Sequence, residues 1–198
     1  MSKIEARLIE LGYPLPAVAM PVAAYIPSVV TGNLCFTSGQ LPFVDGKLPA
    51  SGKVGETAGL VSPADAKDLA RQCALNALAA LKLSIGDLDR VKRIVKVVGF
   101  VASVPEFTGQ PGVINGASEF LGEVFGDAGI HARSAVGVSH GCYICYRAVF
   151  CNVSQQSTHD FARTSLWQFA NHHDGARSRD RANFFGYVIA QNLAHVGI

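Results

Sequence analysis

Charge of one sign is what this sequence has least of: 17 Lys and Arg residues face 15 Asp and Glu residues, leaving +2 over 198 residues. So small an excess supplies no basic groove for nucleic acid and no strong pull toward an anionic membrane, so neither partner is expected. Long apolar runs are also missing. The most apolar early stretch, from Val18 to Val30, is broken by Pro21 and Pro27 and is too short to span a bilayer. The N-terminus carries Glu5 and Glu10 where a secretory signal would need an apolar run, which predicts a cytoplasmic protein. Cysteines are few and odd in number, five in all, so reduced thiols are expected and no disulfide framework is drawn. No internal repeat is found. What the chain does have is apolar residues, 49% of the total, enough for one domain with a sizeable core or one domain plus an appendage.

The composition changes sharply near residue 139. All seven lysines and all six glutamates lie in residues 1–139, whereas residues 140–198 hold five of the six histidines, three of the five cysteines and the single tryptophan. Two explanations stay open at this point. Residues 140–198 are a small extension with its own bias, or a translated segment that did not evolve with the first part.

Periodicity outlines the first part. Ile4, Leu8 and Leu11 suit a short amphipathic helix, and Pro14, Pro16 and Pro21 then impose an extended path. Tyr25 to Val30 and Leu34 to Thr37 read as strands around a Gly32-Asn33 turn, since both turn residues tolerate positive φ. Gln40 to Gly59 is loop-like. A strong helix follows: Ser62 as N-cap, Pro63 in the first turn, and Asp65 completing a capping box. Its apolar stripe runs Ala66, Leu69, Ala70, Cys73, Ala74, Ala77, Leu81, and Gly86 ends it. Val91 to Val101 reads as an interior strand in which Gly99 marks a bulge or a close backbone approach. A second helix places Val113, Ile114, Ala117, Phe120, Leu121, Val124 and Phe125 on one face and stops at Gly126. Ala132 to Val138 alternates as a short strand. This order predicts an α+β fold, a mixed sheet with two helices on one face.

Within the last strand Arg133 shares a face with Ala135, Gly137 and Ser139, small residues that leave space beside it. An arginine in such a recess can hold a carboxylate through two parallel N–H···O bonds, although a solvated surface arginine has the same spacing. Ser38 and Gly39 end the second predicted strand, where glycine lets backbone amides approach a ligand. Asn115 lies on the polar side of the second helix.

Taken together, Thr31-Gly32-Asn33-Leu34, Phe36-Thr37-Ser38-Gly39-Gln40-Leu41-Pro42, Asp89-Arg90-Val91, Val113-Ile114-Asn115-Gly116-Ala117 and His131-Ala132-Arg133-Ser134-Ala135-Val136 resemble, in order and spacing, the reactive intermediate deaminase (RidA, YjgF-like) family. The resemblance covers about residues 4–139 and is nearest to the branch with an N-terminal extension such as Arg7-Leu8-Ile9-Glu10-Leu11-Gly12. It implies a chorismate-mutase-like fold, a homotrimer, and sites in clefts between subunits. The implied activity is hydrolysis of reactive enamines and imines such as 2-aminoacrylate to 2-oxo acids and ammonia, without a cofactor. Carried over position by position, Arg133 matches the family's carboxylate-gripping arginine, Tyr25 a pocket aromatic, Ser38 and Gly39 the wall near the reacting centre, and Asn115 a cleft-lining residue. Arg133 and Ser38 are thus the catalytic candidates. Tyr25, Gly39, Asn115 and Arg133 are the substrate-binding ones.

The sequence then departs from the family. Where a Leu-Pro turn and a final strand bearing a glutamate are expected, it reads Ser139-His140-Gly141-Cys142-Tyr143-Ile144-Cys145, with no Asp or Glu between Asp127 and Asp160. The family's acid is thought to position or activate water. Its loss implies either an impaired deaminase or a non-catalytic member that binds small carboxylates or 2-oxo acids. Cys142 to Val153 is the candidate replacement strand, expected to fold back as a hairpin beside the Arg133 strand. Cys142, Cys145 and Cys151 with His140, His172 and His173 fit no zinc-finger spacing well, so no metal is expected. Arg177, Arg179 and Arg181 read as a solvated cluster, and Leu166 to Ala170 and Phe184 to Leu193 as short helices.

Overall fold

The computed structural model describes residues 2–18, 24–139 and, by backbone, 144–153. All of these fall in the first of two compact units, Met1–Gln156. The two short helices, the arginine cluster and the Cys and His side chains predicted after residue 139 lie outside the described residues. Eight elements are built: helix α1 (Lys3–Glu10), strands β1 (Ser28–Thr31) and β2 (Leu34–Thr37), helix α2 (Pro63–Ile85), strand β3 (Val91–Ala102), helix α3 (Gln110–Phe125), and strands β4 (Ala132–Val138) and β5 (Ile144–Val153). The α+β expectation, with a mixed sheet and two helices on one face, is met.

Local signals explain most boundaries. The Ser62 hydroxyl caps α2 by accepting from the Asp65 amide at 3.1 Å, Pro63 occupies its first turn, and Gly86 closes it at φ 79°. Every residue of the predicted α2 stripe is buried. Burial extends further, to Asn76, because its amide donates to the carbonyls of Leu41 (2.8 Å) and Phe43 (3.0 Å), laying the long loop along the helix. Helix α1 is capped twice. Ser2 accepts from Glu5, and the Asp89 carboxylate accepts from the amides of Lys3 and Ile4, both at 2.9 Å. The Ile4 amide bond is the main reason that the Asp89 carboxyl is held below its ordinary range.

Strand β1 starts later than predicted, at Ser28 and not Tyr25. Pro27 has no N–H to give to a ladder, and Ser28 is tied to α2 by its hydroxyl, which donates to the Ala80 carbonyl at 2.6 Å. Thr31 pairs with Leu34 across a two-residue turn, but only Gly32 has positive φ (56°). This fits the turn with glycine first, and the two-residue hairpin expected at Gly32-Asn33 is formed.

The sheet order is β1-β2-β5-β3-β4, with β3 and β4 parallel and the other neighbours antiparallel. Strand β5 therefore lies between β2 and β3. The expected hairpin beside the Arg133 strand is not formed. The α3 crossover brings β4 alongside β3 in parallel, so β4 takes the sheet edge. The register of β5 on β3 shifts three times between Val91 and Val98, but none of the shifts falls at Gly99. Gly99 marks a close approach instead: a Cβ there would collide with Ile114 of α3.

The core lies between the sheet and the two long helices, with Cys35, Ile94, Val97 and Val101 facing Leu78, Leu81, Ile114 and Leu121. Cys35 and Cys73 are buried within it and form no disulfide. On the other face, Val29 and Val136 are exposed and Phe36, Val98 and Phe100 half-exposed. Among the described residues no helix is long and apolar enough to cross a membrane.

Candidate functional site

The predicted site residues fall into two groups, at opposite edges of the sheet. Strand β4 holds Arg133 at one edge. Its alternation sends Arg133 to the helix side, in register with buried Val97, and α3 meets it there. Helix α3 can come so close because of Gly116, where a Cβ would collide with the Lys67 backbone carbonyl of α2. The Lys67–Glu119 ion pair (2.7 Å) ties the same crossing. One residue before and two after Gly116, Asn115 and Ser118 stand three apart on the helix and so share a face.

Both meet the guanidinium through a single nitrogen. Arg133 Nη1 donates to Asn115 Oδ1 at 2.7 Å and to Ser118 Oγ at 3.2 Å. The two hydrogens of Nη1 are thereby used. The Nε–Nη2 edge makes no bond to any described residue, and it is a fork matched to a carboxylate. Behind Ser118 stands His131, its Nε2 3.1 Å from Ser118 Oγ and its Nδ1 2.6 Å from the Gly129 carbonyl oxygen. A carbonyl only accepts, so Nδ1 carries the proton and Nε2 receives the Ser118 hydroxyl. Burial pushes the imidazole below its ordinary pKa and the nearby Arg133 charge adds to this, against an upward pull from the Gly129 carbonyl. Ser118, Gly122, Gly129, Ile130, His131 and Arg133 line an open cleft of about 280 Å³. Part of the space expected beside Arg133 is already used. A Cβ on Gly137 would lie 2.9 Å from the Gln110 amide nitrogen, so that residue is small to admit α3's first turn.

The second group lies at the β1–β2 edge. Tyr25, Ser28, Ser38 and Gly39 line, with their neighbours, an open cleft of about 360 Å³. Ser38 fastens it: its amide donates to the Pro27 carbonyl at 2.8 Å and its hydroxyl to the Ile26 carbonyl. The hydroxyl hydrogen is thus committed to holding the Tyr25–Pro27 segment, and the oxygen keeps its lone pairs as acceptors. Tyr25 is exposed.

Strands β2 and β4 are separated by β5 and β3, three spacings or about 14 Å, more than a three-carbon acid can bridge. One chain therefore presents two half-clefts and does not unite them. Sequence reasoning missed Ser118 and His131. The available signals were the three-residue spacing of Asn115 and Ser118 and the position of His131 just ahead of the arginine strand. Among the described residues no group of three His, Cys, Asp or Glu is placed to hold a metal.

Comparison with known proteins identifies the family of this fold. Residues 5–153 match the family described as "YjgF/chorismate_mutase-like, putative endoribonuclease", a match that runs past the compositional break and takes in β5. Protein TCP17 of Trypanosoma cruzi is 42% identical over 138 residues, 69% of this chain and 84% of that protein. The structure of a protein of unknown function from Agrobacterium tumefaciens is 41% identical, covers 76% of this chain and 92% of its own, and superposes with a TM-score of 0.68. A Shewanella oneidensis structure given the same endoribonuclease description is 32% identical, with 76% and 99% coverage and a TM-score of 0.70. On the span and specificity of these matches, the chain belongs to the YjgF/RidA family.

Proposed function

We propose that the protein captures small carboxylate-bearing enamines and imines and hydrolyses them to 2-oxo acids and ammonia, at clefts completed between copies of the chain in a homotrimer. The single observation that carries this reading is the Arg133 guanidinium, held at Nη1 by Asn115 and Ser118, with its Nε–Nη2 fork bonded to none of the described residues. The half-cleft arrangement supports the assembly. If the β4 edge of one copy meets the β1–β2 edge of the next, Arg133 faces Tyr25, Ser38 and Gly39 across one ligand. The half-exposed apolar sheet face gives such copies a surface to bury.

The chemistry asks little of the protein. A 2-amino enoate tautomerises to an imine whose C2 is electrophilic. Water adds its oxygen to C2 and gives its first proton to nitrogen, forming a carbinolamine. The hydroxyl proton then also passes to nitrogen as the C–N bond breaks, releasing ammonia and leaving the oxygen as the carbonyl of a 2-oxo acid. Arg133 fixes the carboxylate, which orients C2 toward the water. Ser38 Oγ and backbone groups at Gly39 form the facing wall.

One observation favours a second reading, binding without turnover: no acid occurs between Asp127 and Asp160 to activate the water. One experiment separates the two. 2-Aminoacrylate is generated in situ, ammonia release is followed, and pyruvate binding is titrated in parallel, with an RNA oligonucleotide as comparator. Accelerated ammonia release that is lost in Arg133→Ala supports hydrolysis. Pyruvate binding without acceleration supports the second reading. RNA cleavage with no carboxylate binding refutes both.

A further inference from the structure

We propose that Ser118 and His131 are positioning residues for Arg133, forming a relay in which a neutral imidazole, bare at Nε2, holds the Ser118 hydroxyl so that its oxygen faces the guanidinium. The inference deepens the reading of Arg133 as the carboxylate anchor and rests on it. The relay is ordered by donor and acceptor logic alone. Gly129 can only accept, so His131 Nδ1 donates to it across 2.6 Å. Nε2 of a neutral ring then accepts, and among the described residues the hydrogen that reaches it is that of Ser118, 3.1 Å away. With its hydrogen turned toward His131, Ser118 Oγ presents lone pairs to Arg133 Nη1 at 3.2 Å. Every bond points the same way, from the arginine through the serine and histidine to the backbone of the turn at Gly126–Gly129.

The consequence is orientational. A guanidinium on a long side chain at a sheet edge has many rotamers, and ordering it costs free energy on ligand binding. Asn115 alone would leave the group free to swing about one contact. A second acceptor on the same nitrogen fixes the plane and sets the Nε–Nη2 edge outward. Arg133 is exposed, whereas Ser118 and His131 are half-buried, so the relay ties an exposed group to more buried ones. Ser118 and His131 line the same cleft as Arg133, so the relay and the anchor belong to one wall.

The test uses the full chain, with pyruvate as probe at about pH 8, above the ordinary histidine range. Ser118→Ala and His131→Phe are expected to weaken pyruvate binding about 3- to 10-fold, the loss of one hydrogen bond. His131→Gln supplies an acceptor oxygen and cannot take a proton. It is expected to restore affinity to near the wild-type value. The thermal midpoint and native mass should stay unchanged in all three, and a merely structural role would not show rescue by glutamine. In parallel, ¹⁵N NMR of the ligand-free wild type should find the His131 proton on Nδ1. Wild-type affinity in both Ser118→Ala and His131→Phe, or a proton on Nε2, overturns the relay. If the first two variants unfold, the tautomer decides alone. If the wild type takes no pyruvate, or Arg133→Ala binds as tightly as wild type, the reading of the cleft fails, and the tautomer still settles whether the relay exists.

Discussion

The two edges of this sheet solve the same problem by different means. At the β4 edge a charged group is aimed by side chains: Asn115 and Ser118 both hold Arg133, and His131 stands behind Ser118. At the β1–β2 edge a wall is shaped by backbone. Ser38 clips the carbonyls of Ile26 and Pro27, and Ser28 clips the strand to α2. The first edge depends on how closely two helices cross, the second on how a strand end is fastened. The difference teaches that the halves should fail independently, and that neither is a site by itself.

The largest expected effect strikes the first edge through the helix crossing. Gly116→Ala sets a methyl against the Lys67 backbone carbonyl, which cannot rotate away. We expect a loss of about 3 kcal/mol, at the upper end of overpacking costs, read by denaturant unfolding. An unchanged midpoint would mean that the helices do not cross so closely. Next, Arg133→Ala should cost about 1.5–3 kcal/mol of pyruvate affinity with stability intact, since a charge-assisted bond is lost from an exposed residue. Calorimetric titration reads this, and equal affinity in both proteins refutes the assignment. Ser38→Ala should be milder, about 0.5–1.5 kcal/mol, and confined to the second edge. Hydrogen exchange should quicken around Tyr25–Ser28 and stay unchanged at α3. Faster exchange at both edges would deny their independence.

The smallest effect is a pH dependence at the first edge. Burial lowers the His131 pKa below its unfolded value of 6.5, so the unfolded chain binds more protons in the interval between the two values. Stability is then complete above about pH 6.5 and falls as pH drops toward the folded value. Unfolding curves across that window should slope in the wild type and flatten in His131→Gln. The opposite slope would mean that the imidazole is charged in the fold.

Much of this frame was legible from the chain. Helix α2 announced both ends, Ser62-Pro63 and Gly86, because capping is local chemistry. Strands β3 and β4 and helix α3 followed from periodicity, and the motifs around Ser38, Asn115 and Arg133 fixed the family. What could not be read was long-range. The place of β5 between β2 and β3 depends on which strands the α3 crossover brings together, and no local pattern near residue 144 encodes that. Ser118 and His131 escaped notice because their partners lie on other elements. The small residue at Gly137 suggested open space, whereas the structure fills it with Gln110.

The central claim is that one ligand needs the β4 edge of one copy and the β1–β2 edge of another. Mixing tests it most directly. Arg133→Ala removes the anchor from one half, and Gly39→Val crowds the exposed wall of the other. Each variant alone should bind pyruvate at least about tenfold more weakly than the wild type, leaving no sites of wild-type affinity. Unfolded together in equal amounts and refolded, they should recover about a quarter of the wild-type binding sites, the share of randomly paired edges in which both halves are intact. A mixture as inert as its two components would contradict the account.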